Sequence, residues 1–90
     1  MVKIEVPALL HKDLDGKSEI RLEAKSIDEA VVQIIKIYPQ LEKALLSNDK
    51  KLKSYVRFCL NEQLLDPEKY NEPLLKDEDS LFLIIPISGG

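Results

Sequence analysis

The chain has 90 residues, 44% hydrophobic and 32% charged, with a formal net charge of −3. That length supports one hydrophobic core and not a second, and the longest apolar run, residues 81–87, falls well short of the roughly 18 to 20 residues of a membrane span. The lysines are interspersed with Asp and Glu, as in "EKALLSNDKKLK", which leaves no basic stripe for nucleic acid.

The single cysteine, Cys59, and single histidine, His11, give neither an internal disulfide nor a cluster with metal-ligand spacing. The opening "MVKIEVPALL" has no long apolar centre of a secretory signal. The expectation is a single cytoplasmic domain over residues 1–90, monomeric when free, without metal, membrane anchor or nucleic-acid partner.

In chain order, "VKIEV" sets Val2, Ile4 and Val6 against Lys3 and Glu5, the period of a strand with one wet face, and Pro7 closes it. "SEIRLEA" repeats the pattern with Ile20, Leu22 and Ala24. Between them "HKDLDGKS" is rich in turn formers, and Asp15-Gly16 suits a turn with positive φ, so the two strands form a hairpin with a long loop. His11, in that loop, has no triad partner and is expected to be solvent-exposed.

Ser26 followed by Glu29 is a capping box, and Ile27, Ala30, Val31, Ile34, Ile35 and Tyr38 then keep helical spacing up to Pro39. This predicts one amphipathic helix of about three turns. "LEKALLS" adds a helical turn or two, and "SYVRFCLN" returns to alternation with Val56, Phe58 and Leu60 inward. "EQLLDPEKYNEPLLKDED" holds two prolines and reads as irregular connection, with room for a short strand near residues 63–65. The last strand is expected over residues 81–87. The fold class is therefore α+β, about four strands packed on one main helix.

The end of the chain carries the chemistry. Leu81, Leu83 and Ile85 alternate with Phe82, Ile84 and Pro86, and because both sets are apolar only one faces the helix. The other is expected to dock a partner through Phe82, Ile84 and Pro86, flanked by Tyr55, Arg57 and Cys59 of the preceding strand. Cys59 itself is expected to be a passive sheet residue rather than a reactive thiol. "KDEDS" reads as solvated charge that steers a basic patch rather than as a cation site.

Two of the three glycines stand last, as Gly89-Gly90, an ending that chance gives roughly once in 200 chains. Ile87-Ser88-Gly89-Gly90 is expected to form a flexible tail, in which the glycine pair, without Cβ atoms, threads a narrow channel and delivers the main-chain carboxylate to a buried site. A carboxylate at Gly90 is ionised at neutral pH and attacks the α-phosphate of ATP once a second enzyme supplies the nucleotide. The chain has neither GxxxxGK[ST] nor GxGxxG to bind ATP itself.

The element order together with "DEDSLFLIIPISGG" resembles the β-grasp, ubiquitin-like sulfur carriers of molybdopterin, thiamine and cysteine biosynthesis and the archaeal small modifier proteins. The likeness spans the whole chain, with "VPALL", "IYPQL" and "YVRFCLNEQLL" as supporting matches, and looks most like the cysteine-biosynthesis carriers and archaeal modifiers. It implies a β-grasp mixed sheet and a carrier, not an enzyme, that binds no cofactor. Gly90 would be adenylated by an E1-like enzyme using ATP, converted to a thiocarboxylate and used as sulfur donor to a synthase. The same tail in a protein modifier would be joined to lysines of target proteins, and in a plain β-grasp interaction module it would be inert. Two departures stand out. Pro86 is not doubled, and Glu78 replaces the family's usual glycine in the acidic turn, so that this turn is expected to avoid positive φ.

Overall fold

A computed structural model describes residues 1–85. Within them the elements run β1 (Val2–Glu5), β2 (Glu19–Leu22), α1 (Ile27–Ile37), α2 (Glu42–Leu45), β3 (Arg57–Leu60), β4 (Gln63–Leu64) and β5 (Ser80–Ile84). The strands form one sheet in the order β2-β1-β5-β3-β4, and the pair β1 and β5 is parallel while the other pairs are antiparallel. The fifth strand is the two-residue β4, at the place the sequence left for a short one.

The amphipathic patterns decide which face of each element is buried. Val2 and Ile4 of β1, Ile20 and Leu22 of β2, Phe58 of β3 and Leu81 and Leu83 of β5 all turn inward. Ile27, Ala30, Val31 and Ile34 of α1 join them in one core, with Leu41 and Leu45 from the segment around α2. Ile35 and Tyr38 are only half-buried at its margin, because at helical spacing they lie toward the edge of the stripe.

Ser26 caps α1, its Oγ accepting from the Glu29 N–H at 3.1 Å. The Asp28 N–H, another donor without an intrahelical acceptor, is satisfied by the carbonyl of Tyr70 at 3.0 Å. A 3₁₀ turn at Pro39–Leu41 then leads into the single turn of α2, the continuation "LEKALLS" predicted.

Two connections differ from their expected form. Residues Ala8–Leu14 of the first hairpin loop are 3₁₀-helical, and Leu10 and Leu14 are buried. His11 is partly buried there, its Nε2 donating to the Val6 carbonyl at 3.0 Å, and is not simply exposed to solvent. Asp15 and Gly16 do take positive φ, 57° and 83°.

The long connection before β5 also contributes to the core, through Tyr70 and Leu75. The Tyr70 ring meets Phe58 edge-on at 5.8 Å and 88°, a favoured aromatic geometry. Its hydroxyl accepts from the Phe58 N–H at 3.2 Å, standing in for a ladder acceptor where β4 is too short to supply one.

The acidic turn contradicts expectation: Glu78 has φ 70°. Its geometry is imposed by bonds across the turn and by one from the N-terminus. The Lys76 carbonyl accepts from Asp79 N–H at 3.1 Å, the Met1 carbonyl accepts from Glu78 N–H at 3.1 Å, and the Asp79 side chain accepts from Lys76 N–H at 2.8 Å. These bonds hold the left-handed backbone even though a side chain is present.

Candidate functional site

The site is built on β5, the middle strand of the sheet. With Leu81 and Leu83 committed to the core, Phe82 and Ile84 must project from the opposite face, and they are 47% and 37% exposed. The registers of neighbouring strands set their company. Phe82 lies opposite Cys59 of β3 and Glu5 of β1, Cys59 lies opposite Leu64 of β4, and Glu5 opposite Glu19 of β2. A row Leu64-Cys59-Phe82-Glu5-Glu19 therefore crosses the outer face, apolar on one side and charged on the other.

One step further along, Ile84 pairs with Arg57. Arg57 is half-buried, its Nη2 donating to the Leu65 carbonyl at 3.1 Å, while its buried Nε has no partner among the described residues. Because β3 and β5 are antiparallel, Arg57 stands where β5 ends and the chain continues into Pro86. Tyr55 sits in the turn before β3, 48% exposed with the Lys53 ammonium 5.8 Å from its ring centre. It does not pair with β5. Of the residues expected at the site, Phe82, Ile84 and Arg57 are thus brought together. Pro86, Ile87, Ser88, Gly89 and Gly90 lie outside the described residues.

Beside Phe82 the outer face dips into a groove of about 630 Å³, lined by Glu5, Cys59, Asn61, Glu62, Ser80, Leu81, Phe82 and Ile84. Asn61 fixes its wall. The Asn61 side chain accepts from the Ser80 N–H at 3.0 Å and donates to Asp79 at 3.2 Å, and its N–H donates to the Ser80 carbonyl at 2.8 Å. Asn61 and Glu62 both take positive φ, 48° and 74°, as the two central residues of a type I′ hairpin do. The sequence reading named none of Glu5, Asn61, Glu62 and Leu64 as site residues. Alternation put Glu5 on the wet face, but only the parallel pairing of β1 with β5 sets it beside Phe82.

Among the described residues no group of three or more His, Cys, Asp or Glu side chains is arranged to hold a metal ion. Asp79 is engaged within its turn, and Asp77 lies 3.5 Å from the amino group of Met1. No described helix is long and apolar enough to cross a membrane.

No family model matches the chain, and no curated protein matches it in sequence. Solved structures do match its fold. Small archaeal modifier protein SAMP1 from Haloferax volcanii superposes with a TM-score of 0.81 at 20% identity, over 99% of this chain and 98% of that one. CysO from Mycobacterium tuberculosis gives 0.80 at 15% identity, over 97% and 100%. A chain of the Amycolatopsis orientalis BexX/CysO complex gives 0.76 at 19%, over 100% of both. The protein thus has the β-grasp, ubiquitin-like fold. Its structural neighbours include small archaeal modifier proteins and CysO.

Proposed function

We propose that the protein is a sulfur carrier whose reactive group is the carboxylate of Gly90. The observation that carries this reading is the position of β5. The central strand runs directly toward "PISGG" and presents Phe82 and Ile84 on the outer face beside that exit, so a partner that docks on the face also holds the root of the tail. The small carriers of similar fold support it, as does the presence of CysO in a complex with BexX.

In the proposed chemistry a separate E1-like enzyme supplies ATP. A Gly90 carboxylate oxygen bonds to the α-phosphorus, the α–β phosphoanhydride bond breaks, and pyrophosphate leaves. A sulfide nucleophile then displaces AMP from the acyl carbon, leaving a thiocarboxylate for a sulfur-accepting synthase. The part of this chain is to present the carboxylate on side-chain-free residues and to offer apolar anchors, each worth about 1.5 to 3 kcal/mol when fully buried by a partner. The likeness to SAMP1 favours a second reading, in which the same acyl-adenylate ends in an amide bond to lysines of target proteins.

Intact mass of the protein recovered from its own cell tests both. An oxygen-for-sulfur exchange at the C-terminus supports the carrier, and a ladder of conjugates supports the modifier. Deleting Gly89 and Gly90 should abolish ATP–pyrophosphate exchange with the cognate activating enzyme, since it withdraws the carboxylate by about 7 Å of extended chain. Full exchange in the deletion variant refutes both readings.

A further inference from the structure

The groove over Phe82 has a charge pattern that the carrier reading does not use. Among the described residues, the charged ones that line it are Glu5 and Glu62. Lys3, opposite Ser80 of β5, lies 3.5 Å from Glu5, and a partly exposed pair of this kind contributes little and yields to a competing cation. Glu62 is exposed and has no ion-pair partner among the described residues. The floor is apolar, with Phe82, Ile84 and the small side chain of Cys59. The wall is preformed by the Asn61 bonds to Ser80 and Asp79, so little ordering remains to be done on binding.

We propose that this groove seats one long cationic side chain, an arginine or lysine, of a protein partner, with its stem on Phe82 and Cys59 and its head at the carboxylates of Glu5 and Glu62. Long cationic side chains lay their methylenes on apolar surface while the head stays polar, and the face of an aromatic ring attracts the charge. An apolar side chain in the same place would strip water from two carboxylates without replacing it, and an acidic one would be repelled by both. Arg57, at the Ile84 end, keeps a second cationic head away from that end of the groove. That the partner is the activating enzyme rests on the carrier reading; that the groove takes a cation does not.

The test is an amide-resolved NMR titration of the full chain with three blocked tripeptides, centred on arginine, its neutral isostere citrulline, or glutamate. The arginine peptide should give saturable shifts at Glu5, Cys59, Glu62 and Phe82 at millimolar concentration, weakening as salt is added. Citrulline and glutamate should bind at least tenfold more weakly. Glu5→Gln with Glu62→Gln should lower arginine affinity about tenfold while the amides of α1 keep their positions, which shows the fold intact. Equal shifts with citrulline, arginine shifts centred on Asp77–Asp79, or the absence of saturation with any peptide would each overturn the proposal. The chain lacking Gly89 and Gly90 should respond like the full one. A missing groove response alongside normal pyrophosphate exchange removes this inference and leaves the carrier reading standing, and the reverse result does the opposite.

Discussion

Glu78→Gly should stabilise the protein. Glu78 sits at φ 70°, a conformation that costs an L-residue about 1 to 2 kcal/mol because its Cβ crowds the following carbonyl. Glycine has no such penalty but loses about 0.4 to 1 kcal/mol more backbone entropy on folding. The Met1 carbonyl accepts from the backbone N–H of residue 78, so that bond survives the change. The net gain is about 0.5 to 1 kcal/mol, which for a domain of this size raises the melting temperature by about 2 to 8 °C. The substitution also removes a negative charge beside Asp77 and Asp79, so Glu78→Gln serves as the reference that removes the charge and keeps the strain. Thermal melts of the three proteins at one salt concentration separate the two contributions. If Glu78→Gly melts no higher than Glu78→Gln, the turn is not strained by its side chain and the reasoning fails.

Three further outcomes follow from the packing. Ile34→Ala, at a position with no exposed surface, should cost about 2 to 5 kcal/mol in urea unfolding, and a cost below about 0.5 would mean that this helix face is not core. Tyr70→Phe keeps the ring against Phe58 but removes the hydroxyl that the Phe58 N–H donates to. Leaving that buried amide unpaired should cost about 1 to 3 kcal/mol, and a neutral result would show that another acceptor takes its place. Phe82→Asp should abolish pyrophosphate exchange with the activating enzyme while the circular dichroism spectrum is retained; loss of folding would instead place Phe82 in the core.

The elements that were legible in the sequence are those whose burial is written in a local period. Helix α1 announced itself through Ser26 and the Ile27-Val31-Ile34 stripe. The inward sides of β1, β2 and β3 followed from alternation, whereas in β5 both faces are apolar and alternation alone did not decide between them; the structure turns Leu81 and Leu83 inward and leaves Phe82 and Ile84, the expected docking pair, outside. Burial that depends on a distant partner was not legible. Leu10 and Leu14 lie in a short 3₁₀ segment among charged residues and give too few periods to count, and Tyr70 and Leu75, either side of Pro73, are recruited by Phe58 and Lys25 from elsewhere in the chain. The positive φ at Glu78 was missed because hydrogen bonds, and not a residue type, enforce it. The absence of glycine argued against it, while the bonds that enforce it come from Met1, Lys76 and Asp79.

The parallel pairing of β1 with β5 explains why the two halves of the outer face differ in kind. β5 is the strand that both neighbouring halves of the sheet must share, so its inner residues, Leu81 and Leu83, have no exposed surface to speak of and its outer residues receive one flank from each side. From β3 and β4 it receives Cys59 and Leu64, and from β1 the charged Lys3 and Glu5. A hairpin partner alone would have given Phe82 apolar company on one side and open solvent on the other, an exposed residue of the kind that carries no inference. The crossover that brings the first strand beside the last is what turns it into the floor of a groove with a charged rim. Because that floor lies on the same strand that leads to Gly90, any side chain that fills the groove also fixes the position from which the tail departs.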